Sequence, residues 1–294
     1  MARRLLTPKR EKWVRNREVT LKGKALRGGV TAGARYAKDL DRITLQMIRE
    51  TEREIRKLLR SDTSRQFFAM DASIASQARM LVDRITKKYN KLFAEKARTY
   101  TDRMVTDVDR ESRTTLGESL NQLSGGLSIK TDILTGELNE VVKATVAENT
   151  ALIKTVPEEY LGQVRGAMMR SITQPATAGL KGVIEQINDV LDTRARQIRN
   201  KAKNVALDQT RKFYNNLNRG RMEAVGLKKF EWVHSGGGQK PRKLHQEVLN
   251  GQIFSFDDLP VIDEKTGERG IPGQAINCRC TMLPVIEFEN GESS

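Results

Sequence analysis

The stretch Thr193–His234, TRARQIRNKAKNVALDQTRKFYNNLNRGRMEAVGLKKFEWVH, decides the fold because the spacing of its apolar residues changes partway along it. In its first part Ile198, Ala202, Val205, Phe213 and Leu217 share one side and arginines and lysines fill the others, which predicts an amphipathic helix over 193–225. Gly226 is placed to end that helix. Beyond it Phe230, Trp232 and His234 alternate with Glu231 and Val233, the period of a half-buried strand. The chain passes from helix to sheet at residue 226.

Working upstream, no proline interrupts the chain between Lys9 and Val156, so long helices are permitted. Leu40, Ile43, Met47, Ile48, Ile55, Leu58 and Leu59 recur every three or four residues, and so do Ile74, Ala78, Leu81, Ile85, Tyr89, Leu92, Tyr100, Met104 and Val108. Further helices are expected around 139–155, 157–171 and 178–192, with Ser124, Gly125 and Gly126 and the pair Gln174, Pro175 marking breaks.

Downstream the punctuation thickens. Of 7 prolines, Pro241, Pro260, Pro272 and Pro284 fall after residue 240, beside the run Gly236, Gly237, Gly238. Pro241 is placed to open a short helix carrying Leu244, His245 and Val248, which Asn250 and Gly251 end. Strands are expected over 252–256 and 277–288, with a loop over 257–275 between them; the second would set Cys278, Cys280 and Met282 on one face. The fold class is therefore mainly α with a small C-terminal α+β unit, long helices followed by a short-stranded, Pro/Gly-rich domain. Its expected organisation is a basic N-terminal arm over 1–40, a helical region over 41–192 and a C-terminal domain over 193–294, made of the basic helix 193–225 and an α+β unit over 229–288.

Charge is gathered rather than spread. The 294 residues carry 52 Lys+Arg and 37 Asp+Glu, a net charge of +15. Residues 1–40 hold twelve basic against three acidic residues, and 194–229 hold eleven against two, while 230–294 hold six against ten. Two such blocks suit contact with a polyanion through phosphates, without base reading. Arg196, Arg199, Lys203, Arg211 and Lys212 are the candidate DNA-binding residues, with Arg3, Arg4, Lys9, Arg10 and Lys12 as an arm. A sequence-specific regulator would need a compact recognition helix after a short turn, which the long helices disfavour. No run of about 18 apolar residues is present, so no membrane span is expected, and the charges of MARRLLTPKREK occupy the place of a signal peptide's apolar region.

The 2 histidines and 2 cysteines, His234, His245, Cys278 and Cys280, all lie near the C-terminus. Two imidazoles and two thiols suit tetrahedral zinc, but one residue between the cysteines is tighter than the usual two to four. No cofactor is therefore expected, with one zinc ion on these four residues as the alternative. The same spacing, about 6.6 Å between Cα atoms if extended, is poor for a disulfide and points to a reducing compartment. No enzyme activity and no small-molecule substrate are expected: nothing singles out a group to orient His245 beside a cysteine nucleophile, and no Walker-type loop follows the glycine run.

Gln209, Thr210, Arg211, Lys212, Asn218, Arg219, Arg221, Gly226, Phe230, Trp232, Arg242, His245, Gly251, Pro272, Gly273, Asn277, Cys278, Arg279, Cys280 and Pro284 appear in an order and spacing that resembles the phage Mu protein F-like family of head morphogenesis proteins, over roughly 190–286. The motif residues are Trp232, Arg242, His245, Gly251, Pro272, Gly273, Asn277, Cys278, Arg279 and Cys280. Many members carry an Asp seven residues before the histidine, where this chain has Gly238. The resemblance implies a minor head protein of a tailed bacteriophage, made in the bacterial host cytoplasm and placed in the head interior near the portal vertex. Its implied partners are the portal protein, the major capsid protein and packaged double-stranded DNA. Some family domains are fused to toxin modules, so the alternative is a nuclease or toxin-like effector delivered with the genome.

Overall fold

A computed structural model describes residues 19–60, 72–124, 136–173, 179–237 and 241–288. The chain is mainly α with a small C-terminal α+β unit. In order its elements are β1 (Val19–Lys22), α1 (Val30–Arg60), α2 (Ala72–Leu123), α3 (Gly136–Thr173), α4 (Gly179–Ala224), β2 (Lys229–Val233), a π-helical turn (Leu244–Val248), β3 (Ile253–Ser255), β4 (Val261–Asp263), β5 (Glu268–Arg269) and β6 (Thr281–Phe288). No helix among the described residues is long and apolar enough to cross a membrane. Gly238 and the arm residues Arg3, Arg4, Lys9, Arg10 and Lys12 lie outside the described residues.

Among the described residues the helices are fewer and longer than their sequence signals suggest. α1 begins at Val30, inside the segment read as an arm. α3 joins two expected helices by running through Pro157. That proline forfeits one backbone hydrogen bond, but Val156, Tyr160 and Leu161 around it are buried, and their packing outweighs the break. α4 likewise fuses 178–192 with 193–225, because Leu191, Ala195 and Ile198 continue a single buried stripe across the expected boundary.

The chain forms two compact units, each assembled from separate segments, and the long helices contribute to both. One comprises 34–104 and 145–207. Its core gathers Leu40, Met47, Ile55, Val82, Ile85, Tyr89, Phe93, Tyr160 and Ile198. Inside it the buried Tyr36 hydroxyl donates to Asn149 Oδ1 at 3.1 Å. Ion pairs cross between helices at its surface: Arg103 with Asp39 at 2.9 Å, Lys88 with Glu50 at 2.6 Å, and Arg165 with Asp83.

The other unit comprises 1–33, 105–144 and 208–294. Its four-stranded sheet has the order β1-β6-β2-β3, and all its neighbours are antiparallel. β1 lies within the segment that the sequence marks as a basic arm, yet Val19 pairs with Phe288 and Lys22 with Val285, so β6 is flanked on both sides. Two further differences from the sequence reading concern 257–288. The expected loop contains the hairpin β4–β5, and the last strand starts at Thr281, leaving Cys278 and Cys280 on the turn before it. The Gly226 stop is confirmed: at φ +81°, it lets Leu227 N–H reach Met222 C=O and its own N–H reach Glu223 C=O, both at 2.9 Å.

Helical parts of the same unit are tied to one another by long-range polar contacts. The Glu111 carboxylate accepts from Gly29 N–H at 2.6 Å and Ala32 N–H at 2.8 Å, capping the start of α1. Arg221, 1% exposed, pairs with Asp109 and donates to Ser112 Oγ at 2.6 Å. A charge so deeply buried is tolerated because it is paired and hydrogen-bonded.

Candidate functional site

The motif residues of the C-terminal unit form one connected structure, built outward from Trp232. Strand alternation turns Phe230 and Trp232 inward, and both are fully buried. Trp232 N–H donates to Gln252 C=O at 2.9 Å, and Gly251 N–H donates back to Trp232 C=O at 2.8 Å. Gly251, at φ +80°, supplies the left-handed turn that makes this exchange reachable. The π-helical turn that precedes it is closed by Leu249 N–H on Leu244 C=O and sets His245 inward, 2% exposed. There the Trp232 ring meets the imidazole edge-on, with centroids 5.0 Å apart.

The second wall is the turn from Pro272 to Cys280. Gly273 takes φ +84°, and a Cβ there would collide with the Asn215 side chain on α4, so glycine alone fits. Asn277 is held at φ 59° with its N–H donating to Asp208 Oδ1 of α4 at 2.6 Å. From outside, Arg242 Nη1 clamps Ile276 C=O at 3.0 Å. The outcome is that both cysteines point inward, 4% and 5% exposed, while Arg279 between them points out. Period-two strand geometry predicted the shared direction of the sulfurs; a pinned turn produces it.

His245 Nε2 lies 2.9 Å from the Ile262 carbonyl oxygen, and a carbonyl only accepts, so Nε2 carries the proton. In the neutral ring Nδ1 then presents its lone pair to Cys278 Sγ at 3.4 Å and Cys280 Sγ at 3.8 Å. Burial pulls the His245 pKa down, but its hydrogen bonds with Cys278 and Ile262 outweigh burial and hold it above the ordinary value. The hydrogen bond from Cys280 brings Cys278 down to about 4 against desolvation, helped by His245 and the Gly273 N–H. The partner thiol is pushed up by the Cys278 sulfur and by burial. One of the pair's two protons is thus easily lost, and the other is held between the sulfurs beside the imidazole.

The other predicted site residues are placed differently. His234 does not join the cluster: its N–H donates to Asn250 Oδ1 at 2.9 Å and its Nδ1 accepts from Gly236 N–H at 3.1 Å. The five DNA-binding candidates divide between the units, Arg196, Arg199 and Lys203 in one and Arg211 and Lys212 in the other. Arg199 is engaged by both oxygens of Asp41, at 2.7 and 2.9 Å, and Lys212 by Asp208 at 3.1 Å. Arg196 and Lys203 are exposed on α4. Arg211 is half-buried, and burial together with the neighbouring Arg279 charge lowers its pKa. The sequence reading missed Asp208, which accepts from the cysteine turn, and Asn215, against which Gly273 packs. Nothing in the local sequence of α4 signals contact with residues some 60 positions away.

Residues 162–283 match the family described as Phage Mu protein F like protein. The matched segment contains every motif residue that forms the structure above. A protein of Haemophilus influenzae, described as uncharacterized, is 32% identical over 150 residues, which is 51% of this chain and 30% of that relative. No solved structure matches the chain.

Proposed function

We propose that this chain, Mu F-like over residues 162–283, is a minor head protein of a tailed bacteriophage. In this reading it acts in head morphogenesis at the portal vertex and contacts the packaged DNA non-specifically. The observation that carries the reading is the match itself, which spans the residues that build the buried motif. Those residues are occupied with packing Trp232, pinning the cysteine turn and closing the π-helical turn. Such roles belong to a framework that presents a surface. Cysteines 4% and 5% exposed are poorly placed for a nucleophile that must meet a substrate, which supports an assembly role over the nuclease or toxin-like alternative.

The portal-facing surface is not the apolar stripe of α2. That helix runs 52 residues, about 78 Å at 1.5 Å each, and Ala78, Val82, Ile85, Tyr89, Phe93, Met104, Val108 and Leu116 along it are already buried within the chain. Contact with portal or shell subunits falls to polar and charged faces, and salt should weaken it accordingly. Mass spectrometry of purified heads, with affinity capture on co-expressed portal protein, tests the proposal. The expected outcome is a low-copy head component that co-purifies with portal or shell. A chain absent from mature and immature heads alike, and never captured with either subunit, overturns it.

A further inference from the structure

We infer that His245, Cys278 and Cys280 form a zinc site that clamps the C-terminal unit. His245 Nδ1 and the two sulfurs all lie within 4.8 Å of one another, close enough for one cation to reach all three. Each is held there by something other than its neighbours in the set. The His245 ring is oriented by Nε2–H on the Ile262 carbonyl, which fixes the tautomer with Nδ1 free to ligate. The left-handed turn at Gly273, Asn277 N–H on Asp208 and Arg242 on the Ile276 carbonyl shape the cysteine turn, and neither hydrogen bond involves a sulfur.

The surroundings favour anionic sulfur. The indole N–H of the fully buried Trp232 has no hydrogen-bond partner, and its ring packs against His245 of the same cluster, with centroids 5.0 Å apart. A thiolate ligand nearby would offer that donor an acceptor. Two thiolates and an imidazole select a borderline-soft cation, and zinc is the one that accepts this set in tetrahedral geometry without redox change. Binding would displace the thiol protons to solvent and leave one position of the tetrahedron for a ligand from outside this trio.

The clamp would join three pieces of chain that are otherwise linked by little secondary structure: the π-helical turn, the Pro272–Cys280 turn and, through Ile262, the β4–β5 hairpin. Short Pro/Gly-rich segments of this kind gain stability from a metal. The inference stands apart from the phage assignment, since the site is defined by geometry whatever the chain assembles with.

The test is metal analysis of the full chain purified under reducing conditions without chelator, with zinc-edge X-ray absorption on the same sample. About one zinc per chain is expected in the wild type and in His234→Ala, and well under half of that in Cys278→Ser. The absorption spectrum should show sulfur at about 2.3 Å and nitrogen at about 2.0 Å. The spectrum is read on the wild type, so it remains decisive if Cys278→Ser fails to fold. A wild type with no stoichiometric zinc, or zinc ringed by oxygen and nitrogen without sulfur, overturns the site. Loss of zinc in His234→Ala overturns the three-residue ligand set.

Discussion

Trp232 shows how one side chain holds several functions of the C-terminal unit together. It is fully buried, its ring braces His245, and its backbone exchanges two hydrogen bonds with the Gly251–Gln252 turn. Trp232→Ala should therefore cost about 3–5 kcal/mol. Denaturant unfolding of the full chain is the measurement, followed by a probe of the C-terminal unit such as near-ultraviolet circular dichroism. A fragment over 190–294 would be the wrong sample, because it lacks β1 and the 105–144 segment that complete the unit. An unchanged midpoint would mean that the ring is dispensable and that the site is organised by the turns alone. Both faces of this residue's role are legible differently: alternation with Phe230 marks it as inward, whereas its contact with His245 depends on a turn that alternation does not describe.

At the scale of elements, α4 is held to α1 by the Arg199–Asp41 pair in the helical unit. The Arg199 hydrogen bonds hold the Asp41 carboxyl below its ordinary value, 3.8, against a smaller opposing effect of burial. A folded-state pKa below the unfolded one means the pair stabilises at neutral pH and loses its contribution as pH falls through the folded value. Both side chains are partly exposed, so the effect belongs to the range of surface pairs, about 0.5–1 kcal/mol. Thermal melts of wild type and Arg199→Gln should differ most near neutrality, with the wild type higher, and converge in acid. Melts that run parallel down to low pH would show that the pair contributes nothing. The helices themselves were readable from apolar spacing, but their lengths were not. Pro157 and the 192/193 boundary look like stops locally, and burial on either side carries the helix through both.

For the whole molecule, the question at issue is which of its many cations are free to meet DNA. A net charge of +15 suggests a broad footprint, but ion pairing engages two of the five candidates. Arg199 sits on Asp41 and Lys212 on Asp208, while Arg196 and Lys203 stand exposed on α4. If exposed α4 cations contact phosphates, replacing Arg196 and Lys203 with Gln should each flatten the plot of log K against log salt on duplex DNA by about 0.9, and Arg199→Gln should leave it nearly unchanged. Fluorescence anisotropy over a salt series would measure the slopes. Equal slopes for all three variants would place the phosphate contacts elsewhere on the chain.

Apolar period determined the helices, the change from period four to period two at Gly226 determined where β2 begins, and the order of Trp, His, Gly and Cys residues determined the resemblance. These are properties of neighbours in sequence, since helix and strand periodicity and turn chemistry act over a few residues. The tertiary structure alone decided that β1 pairs with β6, that Asp208 and Asn215 of α4 meet the cysteine turn, and that His245 rather than His234 meets the two sulfurs. Each of these joins residues between about 33 and 270 positions apart. Their meeting depends on how whole elements pack, and a local pattern carries no record of which distant surface will cover it.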